Sequence, residues 1–163
     1  MQVRPEKDPL RSTALFKSLD DAALAALVVC LRRRSSEAGK VIYRQGEPGA
    51  SMLIVVEGTL VAVVRDKDGR EQEINRMGPG EMVGEMAFLD PAPRSASVRA
   101  ATPALYYELD HDGIGALRRH APAAAAAVIG AVIRDVTLRL RRIDCLIELE
   151  LARRASARLE RAK

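Results

Sequence analysis

The segment 80–100, GEMVGEMAFLDPAPRSASVRA, contains side chains suited to binding a phosphorylated sugar. Glu85 supplies a carboxylate that can accept hydrogen bonds from sugar hydroxyl groups. Arg94 carries a planar guanidinium that matches two oxygen atoms of a phosphate, and Ser95 adds a hydroxyl beside it. These residue types predict a pocket for a sugar ring fused to a phosphate diester. From the residues alone, an ordinary surface ion pair between Glu85 and Arg94 is the alternative.

The backbone of this segment also favours a binding site. Gly84 has no side chain, so a ligand can approach its backbone closely. Glu85, Met86 and Ala87 are good helix formers and predict one short helical turn, whose free N–H groups can bind an anion. Two prolines then fix the loop and place Arg94 at the start of a strand.

The stretch VGEMAFLDPAPRSASV resembles the phosphate-binding cassette of the cyclic-nucleotide-binding domain family, whose pattern is close to F-G-E-x-A-L, a short loop, then P-R-x-A-x-V. The residues in register are Gly84, Glu85, Ala87, Pro93, Arg94, Ala96 and Val98. The resemblance implies that the cyclic phosphate and ribose of a nucleotide are bound by Gly84, Glu85, Met86, Ala87, Arg94 and Ser95. Arg139 on the last helix is the candidate contact to the base.

A second set of residues extends the resemblance to roughly positions 12–120. An R-x-G-E turn, a strand and an E-G pair recur in the family's β-roll, and the matching residues here are Arg44, Gly46, Glu47, Glu57 and Gly58. The implied fold is mainly β with flanking helices (α+β). It is a β-roll of the double-stranded β-helix or jelly-roll type, with N-terminal helices and a long C-terminal helix. It resembles the sensor of catabolite activator protein-like regulators without the helix-turn-helix.

Local patterns predict the elements that position these residues. Asp20 or Asp21 can cap a first helix, which the basic residues of LRRR at 31–34 end. A switch to period 2, with turn residues between the segments, predicts strands at 41–43, 52–58, 59–65, 71–77, 95–101 and 104–109. Asp68-Gly69 is a hairpin signal between two of them. Asp110 can cap a further helix that ends near His120.

The last helix is predicted to run from Ala121 almost to the C-terminus, with an apolar stripe at heptad spacing. The stripe comprises Ile129, Ile133, Val136, Leu140, Ile143 and Ile147. Part of the stripe can pack on the β-roll. From Leu140 onward the helix is expected to extend past the roll, so its apolar side predicts a homodimer through about 140–151 or contact with a downstream protein. In the family this helix lids the base, and some members dimerise through it.

Composition and charge limit the remaining functions. The 163 residues predict an N-terminal arm (1–11), a cyclic-nucleotide-binding domain (12–120) and a lid or dimerisation helix (121–163). The sequence shows no apolar run of membrane-spanning length and no signal peptide, so a cytoplasmic location is expected. Cys30 and Cys145 are expected to be reduced. Since the sequence offers neither a nucleophile with a base nor a metal-ligand set, we expect no enzyme activity, catalytic residue, metal or cofactor.

The net charge of +4 is concentrated near the C-terminus, where residues 138–163 contain eight basic and four acidic side chains. Nothing aromatic is interleaved to stack on bases, and nucleic acid is therefore not an expected partner.

The sequence predicts a regulatory module that binds cyclic AMP or cyclic GMP and transmits ligand occupancy through its C-terminal helix. Ser95 is compatible with either base. The alternative is the sensor portion of a catabolite activator protein-like transcription regulator, or of a channel or kinase, separated from its output. A scaffold that keeps the roll without a ligand is a further alternative.

Overall fold

A computed structural model describes residues 10, 13, 16, 17 and 19–161, with side chains up to Arg154. Apart from Leu10, the predicted arm at 1–11 lies outside the described residues. The elements in chain order are α1 (Asp21–Cys30), β1 (Arg32–Ser36), β2 (Val41–Tyr43), β3 (Pro48–Gly49), β4 (Ser51–Glu57), β5 (Leu60–Arg65), β6 (Glu71–Met77), β7 (Met82–Val83), α2 (Glu85–Leu89), β8 (Ala92–Pro93), β9 (Ser97–Ala100), β10 (Ala104–Asp110), α3 (His111–His120) and α4 (Pro122–Arg161).

The strands form two four-stranded antiparallel sheets and a short ribbon. One sheet has the order β1-β10-β4-β7, and the other has the order β2-β9-β5-β6. The ribbon joins β3 to β8 and carries the loop that precedes Arg94. The predicted α+β fold, a β-roll with flanking helices and a long last helix, is therefore confirmed.

Strand β4 lies at the centre of the molecule because both of its faces are apolar. Met52 and Ile54 belong to a cluster packed against the helices, whereas Leu53 and Val55 belong to the cluster that includes residues of both sheets. All four are essentially inaccessible to solvent. Full burial of such a side chain contributes roughly 1.5 to 3 kcal/mol. The apolar residues of this strand are therefore continuous rather than alternating, because both of its faces are buried.

Two aspartates fix the starts of helices, as predicted. The Asp20 side chain accepts a hydrogen bond of 2.7 Å from the backbone N–H of Ala23 at the start of α1. Asp110 does the same for α3, accepting one of 2.8 Å from Gly113. Both contacts satisfy backbone donors that the first helical turn leaves free.

The prediction that basic residues end the first helix was wrong. That helix ends at Cys30, and Arg32–Ser36 form the edge strand β1, paired with β10. Nη1 of Arg32 lies 2.8 Å from Oδ2 of Asp110, and Nε of Arg34 lies 3.2 Å from Oε2 of Glu108. The basic residues therefore neutralise carboxylates on the neighbouring strand rather than the dipole of a helix.

Most of the other predicted strands have the expected limits, including the hairpin in which Gly69 takes a φ of +79°. The strand predicted at 95–101 is shorter, because β9 begins only at Ser97. The residues before it form the loop that holds Arg94.

Helix α4 begins at Pro122 and is continuous to Arg161, as predicted. Val128 and Val132 are fully buried in a cluster with residues of α1 and α3. From Leu138 onward the large apolar side chains described on this helix are more than half exposed. The first part of α4 therefore shares the core, and the later part extends past it. Among the described residues no helix combines the length and apolar character of a membrane span.

Candidate functional site

A cavity of about 400 Å³ lies between the second sheet, helix α2, the β8–β9 loop and helix α4. All seven predicted site residues line it, namely Gly84, Glu85, Met86, Ala87, Arg94, Ser95 and Arg139. Ala87 is buried in its wall, whereas Met86 and Ser95 are exposed at its rim. Apolar side chains of the second sheet, including Ala62 and Val98, complete the cavity. It therefore combines a charged side with an apolar side.

Gly84 directs the chain from β7 into α2 and leaves room for Arg94. Its φ of +86° lies in the left-handed region that favours glycine. A Cβ added at this position would lie 2.8 Å from Nη1 of Arg94 and 3.0 Å from the carbonyl oxygen of Ser51. Both the backbone conformation and the space therefore require glycine here.

The turn between β2 and β3 holds the backbone of Arg94. The N–H of Gly46 donates to the carbonyl oxygen of Arg94 at 2.9 Å, and the N–H of Arg94 donates to the carbonyl oxygen of Glu47 at 2.8 Å. Gly46 has a φ of +84°, which the turn requires. The R-x-G-E turn thus positions the arginine of a distant motif.

The guanidinium of Arg94 is almost fully buried, with 7% of the residue exposed. Nη1 donates to the carbonyl oxygens of Ser51 at 2.6 Å and Gly84 at 3.3 Å, while Nη2 donates to Ser51 Oγ at 3.0 Å. Its Cζ atom lies 3.5 Å from the ring centroid of Tyr43. Such hydrogen bonds and the aromatic face stabilise a cation that burial would otherwise destabilise.

Ser51 connects the guanidinium of Arg94 to Tyr43 and Glu108 in a network of side chains. Ser51 Oγ lies 3.0 Å from Tyr43 Oη and donates to Glu108 Oε1 at 3.2 Å. Burial raises the pKa of Tyr43 to about 12. The phenol is therefore neutral at physiological pH and keeps its proton for hydrogen bonding.

Glu85 also lines the cavity and pairs with the last helix. Its Oε1 is 3.3 Å from Nη1 of Arg139, whose Nη2 donates to the carbonyl oxygen of Met82 at 2.8 Å. Asp135 Oδ2 lies 2.8 Å from Nε of Arg139, as an ion pair without hydrogen-bond geometry. The described contacts thus join Glu85 to Arg139, and not to Arg94 as the surface-pair alternative required.

Three residues of the site did not emerge from the sequence: Tyr43, Gly49 and Ser51. A Cβ at Gly49 would lie 2.5 Å from Nε of Arg94, so this glycine also makes room for the arginine. Ser51 is a buried polar residue at the start of an apolar strand. That isolated polar residue is the only signal in the sequence that could have indicated it.

Comparison with known proteins agrees with this geometry. Residues 33–120, slightly more than half of the chain, match the family model described as the cyclic nucleotide-binding domain. A CRP-like cAMP-activated global transcriptional regulator of Mycobacterium tuberculosis is 31% identical over 105 residues, covering 64% of this chain and 47% of the regulator. A cyclic nucleotide-gated potassium channel of Mesorhizobium japonicum is 43% identical over 88 residues, covering 54% of this chain and 23% of the channel.

Among solved structures, the N-terminal domain of a transcriptional regulator from Streptomyces coelicolor superposes with a TM-score of 0.71 at 31% identity. The match covers 86% of this chain and 95% of that domain. The chain spans about half or less of the length of the two curated relatives. Over the β-roll and its cassette, the chain belongs to the cyclic nucleotide-binding domain family.

Proposed function

We propose that this protein is a sensor that binds a cyclic nucleotide and passes its occupancy to helix α4. The observation that carries the proposal is that Glu85 and the buried Arg94 line one cavity with apolar walls. Arg94 and Ser95 would bind the cyclic phosphate, Glu85 the ribose hydroxyl, and the apolar side chains the base. We propose binding and regulation, rather than catalysis, as the tasks of this pocket.

Cyclic AMP is the ligand that we test first and cyclic GMP the second. The similar regulator of Mycobacterium tuberculosis is cAMP-activated, which supports this order. The exposed hydroxyl of Ser95 suits either nucleotide. The ratio of the two affinities therefore has to be measured.

The ion pair between Glu85 and Arg139 connects the pocket to α4. A ribose hydroxyl that donates to Glu85 would share this carboxylate with Arg139, so the ligand has different interactions with the docked and undocked positions of α4. A ligand shifts such an equilibrium by the difference between its affinities for the two states. We propose that the ligand favours the docked position, in which α4 covers the pocket. In that position α4 alters a contact with a partner.

The exposed apolar side of α4 is the proposed output surface. Leu140, Ile143 and Ile147 are all more than half exposed and lie on one side of the helix. Burial against a second α4 would remove them from water. A homodimer is therefore the assembly that we propose, with a downstream protein as an additional partner.

Isothermal titration calorimetry with cyclic AMP and cyclic GMP tests the function. Wild-type protein should bind at least one of them, and Arg94→Ala should weaken binding about tenfold or more, because the phosphate loses charge-assisted hydrogen bonds. Arg65→Ala removes an exposed arginine that pairs with Glu71 outside the pocket, and should leave the affinity unchanged. If neither nucleotide bound to folded wild-type protein, the roll would be a scaffold without this ligand.

The second candidate is the sensor portion of a longer transcription regulator or channel. It is favoured by the resemblance to proteins of which this chain covers only 47% and 23%. The intact mass of the protein isolated from its source distinguishes the candidates. A mass equal to that of the printed sequence favours the independent module, whereas a larger mass favours a fused output domain.

A further inference from the structure

We propose that Ser51 is a positioning residue, which orients Arg94 so that one edge of its guanidinium remains free for the phosphate. The inference rests on the proposed function and adds a residue outside the sequence motif. Ser51 is 8% exposed and lies 43 positions before Arg94. Its two oxygen atoms contact both terminal nitrogens of the arginine.

A guanidinium has two edges that can bind an oxygen pair. Nη1 and Nη2 form the end edge, and Nε–H and the outer Nη2–H form the side edge. Ser51 occupies the end edge, since its carbonyl oxygen accepts from Nη1 at 2.6 Å and its Oγ accepts from Nη2 at 3.0 Å. In the described part of the chain, Nε has no hydrogen-bond acceptor, so the side edge is left for two phosphate oxygens.

The Ser51 hydroxyl has its acceptor side turned to Arg94 because its single hydrogen is used elsewhere. It donates to Glu108 Oε1 at 3.2 Å. The neutral phenol of Tyr43, whose Oη lies 3.0 Å from Ser51 Oγ, then donates to Ser51 Oγ. One donor and two acceptor positions of the hydroxyl are thereby used.

The absence of charge on Ser51 Oγ also matters for ligand binding. A carboxylate at the same place would neutralise Arg94 directly and compete with the phosphate, whereas a hydroxyl leaves the positive charge of the guanidinium for the ligand. Glu108 acts only through the hydroxyl and is itself paired with Arg34 at 3.2 Å. Strand β4, paired on both sides, holds Ser51 in place.

The test measures both affinity and the geometry of the phosphate contact. The probes are cyclic AMP and its two phosphorothioate diastereomers, in which sulfur replaces one or the other free phosphate oxygen. A fixed guanidinium edge should discriminate between the diastereomers in wild-type protein. Ser51→Ala should weaken cyclic AMP binding about threefold to tenfold, as expected for one hydrogen bond, and should reduce that discrimination.

A second variant and a control separate orientation from packing. Ser51→Cys fills the same space with a poor acceptor and should behave like Ser51→Ala. Ser36→Ala removes another serine–tyrosine hydroxyl contact, of 2.9 Å to Tyr106, outside the pocket. It should leave both the affinity and the diastereomer ratio as in wild-type protein.

The outcomes distinguish this inference from the proposed function. If wild-type protein binds and Arg94→Ala weakens binding, but folded Ser51→Ala or Ser51→Cys keeps wild-type affinity and discrimination, the role of Ser51 is overturned while the sensor function stands. If wild-type protein binds none of the probes, the proposed function itself fails.

Discussion

At the scale of single residues, the space beside Gly49 decides where Arg94 can lie. A Cβ at Gly49 would be 2.5 Å from Nε of Arg94 and 2.8 Å from its Cδ and Cζ atoms. The backbone of Gly49 is not in the left-handed region, so an alanine there meets only this obstacle. Because a side chain can move more easily than a strand, the arginine is the group that would shift.

We therefore expect Gly49→Ala to weaken cyclic AMP binding about tenfold, approaching the effect of Arg94→Ala, with little change in the melting temperature. Calorimetry and thermal unfolding measure the two quantities. Gly115→Ala, in α3 and outside the pocket, should bind as wild-type protein does, since its Cβ would lie 3.7 Å from its nearest neighbour. Unchanged affinity in Gly49→Ala would show that Arg94 reaches the ligand from another position.

The half-buried phenol of Tyr43 predicts a specific loss of stability at alkaline pH. Burial raises its pKa in the folded protein to about 12, whereas a tyrosine in the unfolded chain titrates near pH 10. Its stabilising contribution is therefore complete below about pH 10 and is lost as the pH rises toward 12.

Urea unfolding of wild-type protein and Tyr43→Phe at pH 9 and pH 11 tests this expectation. The free energy of unfolding should fall by about 1 kcal/mol more in wild-type protein than in the variant over this interval. The missing hydroxyl contact to Ser51 shifts the variant's stability equally at both pH values. The difference between the two proteins in the pH-dependent change of unfolding free energy therefore isolates the ionisation of Tyr43. Parallel pH profiles would contradict a raised pKa.

At the scale of elements, Arg139 ties helix α4 to the cavity wall. It contacts Glu85 on α2 and the carbonyl oxygen of Met82 on β7, while its neighbours Leu138 and Leu140 are exposed. This is the point at which the helix leaves the core. In the proposed mechanism, ligand occupancy at Glu85 reaches the part of α4 that extends past the roll through this contact.

Arg139→Ala should accelerate amide hydrogen exchange in α4 around residues 135–143 by about threefold to tenfold in ligand-free protein. The lost interactions are two partly exposed ion pairs, to Glu85 and to Asp135, and one backbone hydrogen bond, each of the order of 1 kcal/mol or less. Arg141→Ala, an exposed arginine on the same helix, is the matched control and should exchange as wild-type protein does. Equal rates in all three proteins would mean that Arg139 does not hold the helix.

At the scale of the whole molecule, the apolar side of α4 exposes several large side chains that a partner could bury. Its exposed leucine and isoleucine residues would each contribute roughly 1.5 to 3 kcal/mol on full burial. Several per helix outweigh an association cost of at least several kcal/mol. The basic side chains nearby oppose a parallel pair, so dimerisation is expected to strengthen with salt.

Ile147→Asp should convert the proposed homodimer to a monomer, whereas Leu149→Asp should not. Both side chains are 53% exposed, but Leu149 lies about 200° around the helix from Ile147 and outside the heptad stripe. Light scattering at micromolar concentration measures the mass of each protein. If wild-type protein were a monomer, the apolar stripe of α4 would be a contact surface for a different protein. If both variants lost the dimer, the effect of the added charge would be nonspecific.

The sequence by itself determined the features that depend on neighbouring residues. The cassette from Gly84 to Arg94, the apolar run of β4 and the aspartate caps are local patterns, and the structure confirms the elements that they predict. Turn geometry, strand alternation and capping act over a few residues, so they can be read without knowing the fold.

Only the tertiary structure decided which distant side chains meet. The pairs Ser51 with Arg94 and Glu85 with Arg139 are 43 and 54 positions apart. Likewise, the basic run at 32–34 forms a strand by pairing with β10, which places Arg32 and Arg34 beside Asp110 and Glu108. Such contacts depend on strand register and helix docking, which are fixed by burial of the whole core rather than by local preference.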